Sequence, residues 1–174
     1  MKTIDTYINE KLNLSTKYTC KPKDRLELLR IIEKRLEKDK DADLNDIDVS
    51  DITDMGLLFY KLYPHNIDIS EWDVSNVTNM RYMFDGCKVF NCDLNNWDVS
   101  NVKNINYMFA HCKNFNSNIS DWDVSNVEYM QGMFINCKKF DCNLNNWDVS
   151  NVENMEGMFY NCDMNDNLPN WYKD

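Results

Sequence analysis

Seven cysteines, two histidines and a row of evenly spaced aspartates are the side chains of this 174-residue chain that could hold a metal or act as nucleophile, acid or base. Cys87 and Cys92, and again Cys137 and Cys142, have four residues between them. That spacing falls within the range of zinc-ligand pairs. Ser117 stands where the middle copy would carry its second thiol, an exchange a zinc array does not tolerate, so the cysteines read as a row of buried thiols. His65 and His111 have no partner signature around them and read as packing or surface residues rather than bases. Asp48, Asp73, Asp98, Asp123 and Asp148 recur in register, each two residues before a serine. Stacked carboxylates repel unless they are hydrogen-bonded or bridged by cations. Asp-x-Ser suits local bonds to backbone N–H groups; calcium bridging is the alternative, without the loop pattern that calcium repeats carry. Four glycines in the whole chain leave little room for a phosphate loop. Catalysis needs unlike polar groups that converge once, and here they return in copies. No catalytic residue, metal or cofactor is expected, and the chain reads as a non-enzyme.

The copies define the elements that must carry these groups. The motif WDVSNV occurs at Trp72–Val77, Trp97–Val102, Trp122–Val127 and Trp147–Val152, a spacing of 25 residues. Around it Met80, Ile105, Met130 and Met155 fall in one column, and Phe84, Phe109, Phe134 and Phe159 in another. Cys87, Cys112, Cys137 and Cys162 form a third. Fixed spacing of unlike residue types stacks like on like along one continuous core, with each buried Phe or Met contributing roughly 1.5–3 kcal/mol.

Within a copy, Val77, Met80, Met83 and Phe84 have helical spacing, and Ser125 with Glu128 forms a capping-box pattern. Phe90, Cys92 and Leu94 alternate with Asn91 and Asp93 as in a strand. The expected fold is therefore an α/β solenoid, leucine-rich-repeat-like, of about five coils, each with a short parallel strand and a short helix or 3₁₀ turn. Residues 1–45 read as an N-terminal cap, with a possible leading strand in 1–20 and an amphipathic helix over 24–38 that carries Leu28, Leu29, Ile32 and Leu36 on one face. Residues 46–174 read as the repeat solenoid, closed by a short lid at Leu168–Asp174 with Trp171 over the last coil.

Charge narrows the partners. The formal net charge is −10, and residues 1–45 carry 11 Lys/Arg and 9 Asp/Glu, leaving 8 basic and 20 acidic residues in 46–174. An acidic body repels nucleic acid and anionic membrane, so neither is an expected partner. No run of eighteen apolar residues exists to span a bilayer, and no secretory leader is visible. An odd cysteine count without a leader points to thiols in a reducing, cytoplasmic setting. The expected partner is another protein, bound by a monomer. Copy-to-copy variation leaves Arg81, Tyr82, Lys103 and Tyr107, with Glu128, Tyr129 and Gln131, as outward positions that stacking does not dictate. Tyr and Arg are favoured interface anchors. The row Lys88, Lys113 and Lys138 is a second candidate surface.

The stretch WDVSNVTNMRYMF, followed by Cys87 and Phe90–Asn91 and preceded by the entry unit Ala42–Met55, resembles the BspA-like leucine-rich-repeat surface proteins. The resemblance covers about Pro22 to Trp171. It implies a non-catalytic repeat protein of unknown function used for adhesion or protein contact. Two rival readings stay open beside a cytoplasmic scaffold. One is a secreted or surface adhesin with a leader outside this sequence; the other is an acidic inhibitor or immunity-type protein that mimics nucleic-acid charge.

Overall fold

The computed structural model describes residues 17–164 and 168–173. Helix α1, Arg25–Lys38, forms as its pattern requires: Asp24 accepts the Glu27 N–H at its N-cap, and Arg35 and Lys38 lie in the last turn. Glu27 reaches back to the Lys23 N–H at 2.9 Å. Leu28, Ile32 and Leu36 are buried against the repeats, and Arg25 donates to the Gly56 carbonyl at 2.8 Å. Arg35 binds Asp46 at 2.8 Å, and Cys20 forms a parallel bridge with Ile47. The first sixteen residues of the expected leading strand lie outside the described residues. No helix among the described residues is long and apolar enough to cross a membrane.

The leucine-rich-repeat-like α/β solenoid of strand-and-helix coils is not what the chain forms. Among the described residues α1 is the only helix, and the parallel pairing consists of isolated bridges. The segment expected to be a helix in each copy is a pair of tight turns instead. Met83 N–H bonds the Met80 carbonyl at 3.1 Å and Cys87 N–H the Phe84 carbonyl at 2.9 Å. The third residue of each turn, Tyr82 or Gly86, has positive φ, the sign a type II turn requires there. The pattern is general. Leu57, Tyr82, Tyr107, Gly132 and Gly157 form one column of positive φ, and Lys61, Gly86, His111, Asn136 and Asn161 a second. A left-handed residue at these positions ends any α-helix.

These turns free alternate N–H groups for the neighbouring copy. Met80, Tyr82, Phe84 and Gly86 donate to the carbonyls of Asn104, Asn106, Met108 and Ala110 at 2.8–2.9 Å. The bridges Asp54↔Asn79, Asn79↔Asn104, Asn104↔Tyr129 and Tyr129↔Asn154 mark the same register. The expected strand at Phe90–Leu94 fails for a different reason: side chains take the donors a strand ladder would use. Asn116 N–H bonds Asn91 Oδ1 at 2.7 Å, Asp141 N–H bonds Asn116 Oδ1 at 3.0 Å, and Leu94 N–H bonds Ser117 Oγ at 3.1 Å.

The core consists of aromatic columns. Phe59, Phe84, Phe109, Phe134 and Phe159 stack at centroid separations of 5.2–5.9 Å, and Phe90, Phe115 and Phe140 run beside them. Three side-chain bonds then tie each copy to the one before it. The Trp97 indole donates to the Ile69 carbonyl at 3.2 Å and Trp122 to that of Leu94 at 3.0 Å. Asn101 Nδ2 donates to the Ser75 carbonyl and Asn126 Nδ2 to that of Ser100, at 2.8 and 2.7 Å. The Cys112 and Cys137 thiols reach the Phe84 and Phe109 carbonyls at 3.0 and 2.9 Å. Beyond the last copy, Trp171 donates to the Leu144 carbonyl and stacks on Trp147.

Candidate functional site

The seven outward residues named from the sequence fall on four adjacent columns, so the repeat register brings them into one strip. Tyr82 and Tyr107 are half-buried and stack with centroids 4.8 Å apart and planes 3° from parallel. Arg81 is exposed and lies over the free face of Tyr82 at 4.8 Å, a cation–π contact. Further along, Lys103 pairs with Glu128 at 3.1 Å. The Tyr129 hydroxyl donates to Glu153 at 2.8 Å, and Gln131 Nε2 approaches Glu156 at 3.5 Å. The Glu153 carboxylate beside the Tyr129 hydroxyl raises that phenol's pKa; burial raises that of Tyr107.

The Tyr82–Tyr107 column is not free to drift, as copy-to-copy variation suggested. Its backbone is left-handed in every copy. Gly132 and Gly157 satisfy that requirement at no steric cost, whereas Leu57, Tyr82 and Tyr107 hold large side chains there, at roughly 1–2 kcal/mol each.

Two residues that the sequence reading missed complete the exposed end of this strip. A cleft of about 340 Å³ is lined by Arg25, Asp54, Gly56, Leu57, Asn79, Arg81 and Tyr82. Leu57 is 44% exposed, and Arg25 arrives from α1, remote in sequence. Leu57 could have been found: it is a large apolar residue in the column of Tyr82. Arg25 carried no signal, since its position depends on how α1 lies on the first copy.

The remaining candidates for chemistry are accounted for by local bonding. Asp98 Oδ1 accepts both the Ser100 N–H and its hydroxyl, at 3.0 and 2.6 Å, and Asp48, Asp73 and Asp68 repeat the pattern. The Ser100 bonds hold the Asp98 carboxyl below the ordinary carboxylate range. Burial pushes the Cys87 thiol up to about 12 and Cys92 up to about 11, and raises Cys112 and Cys137 well above the ordinary thiol value. Thiols so disfavoured as thiolates are poor nucleophiles and poor ligands. No group of three or more His, Cys, Asp or Glu among the described residues is placed to hold a metal ion. His111 bonds Asp85 at 2.9 Å on an exposed turn, and His65 lies 3.8 Å from Asp41. In the lysine row, Lys138 bonds Asn161 and Asp163.

The family model described as Mycoplasma protein of unknown function, DUF285, matches residues 30–123 and 100–173. The chain belongs to this family. The two matches overlap within the repeats and together take in α1 from Arg30 onward, the repeats and the Trp171 lid. No curated protein and no solved structure matches the chain.

Proposed function

We propose that this DUF285 protein is a non-catalytic scaffold that binds another protein through the strip running from Arg25 and Leu57 over Arg81 and Tyr82 to Tyr107. One observation carries the reading. Leu57, Tyr82 and Tyr107 keep large side chains at a left-handed backbone position that two other copies fill with glycine. Backbone strain that persists in a native structure is a pointer to function, and here it holds an exposed aliphatic and two half-buried aromatic groups beside two guanidinium groups. Polar groups further along the strip, at Lys103, Glu128, Tyr129 and Gln131, already bond to one another or to neighbouring copies, so the binding energy would concentrate at the Arg25–Tyr107 end. Likeness to the BspA-like surface proteins, which resemblance makes non-catalytic, supports the same reading. The cytoplasmic setting and the monomeric state belong to it as proposals.

The test is affinity capture from an extract of the source cell with wild-type protein and with a Tyr82→Gly/Tyr107→Gly variant. Glycine suits both backbone positions, so the variant keeps its fold. Loss of one captured protein supports the strip; capture that is unchanged moves the site elsewhere.

A further inference from the structure

The last repeat has an edge whose chemistry is one-sided. Met155, Gly157, Phe159 and Asn161 occupy the places of Met130, Gly132, Phe134 and Asn136. Those four donate their N–H groups to the carbonyls of Asn154, Glu156, Met158 and Tyr160, at 2.9–3.0 Å. The N–H groups of Met155, Gly157, Phe159 and Asn161 have no acceptor among the described residues. The carbonyls between these donors are in use: those of Met155, Gly157 and Phe159 close turns with Met158, Tyr160 and Cys162, and that of Glu153, which has no donor among the described residues, lies before the row. The turns centred on the left-handed Gly157 and Asn161 thus leave a row of four donors with no free acceptor between them.

The opposite end offers no match. There the Gly56 carbonyl is taken by Arg25 and Leu58 is fully buried, so a second copy cannot add head to tail. Two donor edges cannot pair with each other either. Trp171 and Tyr172 cover the aromatic column, with Tyr172 standing edge-on to Phe159 at 4.9 Å, and the donor row is left beside them.

We infer that this edge docks an extended basic peptide of a partner protein, whose backbone carbonyls fill the four N–H groups by strand addition. A row of N–H groups also attracts anions. Glu153 and Glu156 are exposed on the same repeat, where Asp163 is already paired with Lys138, and the two glutamates' charge opposes an acidic ligand and favours lysine or arginine side chains beside neutral carbonyls. Main-chain bonding supplies affinity in such additions, and side chains set preference. The site is separate from the Arg25–Tyr107 strip, so each can fail without the other.

Amide hydrogen exchange on the full chain reads the four groups directly. The probe is an acetylated, amidated hexapeptide of alternating lysine and valine, with a glutamate–valine twin. In the free protein the Met155, Gly157, Phe159 and Asn161 N–H groups should exchange at least tenfold faster than those of Met130, Gly132, Phe134 and Asn136. Saturating lysine peptide should slow the four at least tenfold, and the glutamate twin should do less. Slow exchange in the free protein overturns the inference, as does an absence of protection at millimolar peptide. Stronger protection by the glutamate twin, or protection confined to Tyr82 and Tyr107, overturns it equally.

Discussion

Gly132 lies against the ring of Tyr107. A methyl group at Gly132 would stand 2.6 Å from Tyr107 Cδ1 and 2.9 Å from Ile135 Cδ1. The Tyr82–Tyr107 stack thus ends on a glycine that is required twice, for its positive φ and for the space it leaves. Gly132→Ala should destabilise the protein by about 2–3 kcal/mol, from backbone strain and the displaced ring together. Gly157 has the same φ but its nearest neighbour would be 3.9 Å away, so Gly157→Ala should cost only about 1 kcal/mol. Denaturant midpoints of the two variants give the comparison. Adding Tyr107→Gly to Gly132→Ala should recover the part due to the ring.

The second left-handed column makes the opposite prediction. Lys61 is exposed, with φ 63, where three of the four later copies use Gly86, Asn136 and Asn161 and one uses His111. Its ammonium lies 4.9 Å from the Tyr60 ring, an exposed contact of small value. Lys61→Gly should therefore stabilise the fold by about 0.5–1 kcal/mol, the relieved strain exceeding the entropy glycine adds to the unfolded chain. Thermal unfolding that moves down instead would show that Lys61 has contacts worth more than its strain.

How far the fold was legible depends on which atoms the pattern reports. A spacing of 25 residues with fixed side-chain types specified the register, so Phe over Phe and the α1 cap with Asp24 followed from the sequence. The backbone between those side chains did not follow. Val77, Met80, Met83 and Phe84 bury the same side whether they lie on a helix or on two consecutive tight turns, and apolar spacing alone cannot separate the two. The signal that could have done so was glycine and asparagine sharing columns with Tyr82, Tyr107 and His111, since those are the residues that tolerate positive φ. At Phe90–Leu94 the alternation was real, but Asn and Ser oxygens intercepted the N–H groups of a strand ladder. Of the strip, the outward direction of Arg81 and Tyr107 was legible from their variation. The approach of Arg25 was not, because it rests on a tertiary contact.

The repeated motif itself makes a graded prediction. Asn126 Nδ2 bonds the Ser100 carbonyl from an exposed position, whereas the Trp122 indole is buried and bonds the Leu94 carbonyl. Asn126→Ala removes one bond whose carbonyl can turn to water, so the cost should be near 1 kcal/mol. Trp122→Phe removes one of the two donors to the Leu94 carbonyl, which keeps the Trp97 N–H, and leaves a void beside Phe109, so it should cost about 2–3 kcal/mol, most of it from the void. Equal losses in equilibrium unfolding would contradict this difference in burial.

Acid should weaken the stack through the Asp-x-Ser bonds. The Ser100 hydroxyl and N–H hold Asp98 below its ordinary value, Ser150 does the same for Asp148, and the Ser70 N–H and hydroxyl for Asp68. Each folded value lies below the unfolded one, so this stabilisation is complete above about pH 4 and is lost as the pH falls through the folded values. Asp98→Asn keeps an oxygen that can accept both Ser100 bonds. Its stability at neutral pH should change little, and its loss between pH 4 and pH 2 should be smaller than that of the wild type. Urea titrations at a series of pH values would register the difference.

The thiols should report on the same stack from inside. Cys112 and Cys137 are fully buried and donate to the Phe84 and Phe109 carbonyls, and burial raises both far above the ordinary thiol value. Cys92 is only partly buried, with its thiol pushed up to about 11. Reaction with a thiolate-seeking reagent at pH 8 needs both exposure and ionisation. Cys92 should therefore be modified slowly in the native protein, and Cys112 and Cys137 only at the rate at which the repeats come apart. Mass mapping of modified cysteines against time would give that order. If Cys112 reacted as fast as Cys92, the Phe–Cys column would have to open independently of the rest of the core, which is incompatible with Phe84, Phe109 and Phe134 stacking as one continuous row.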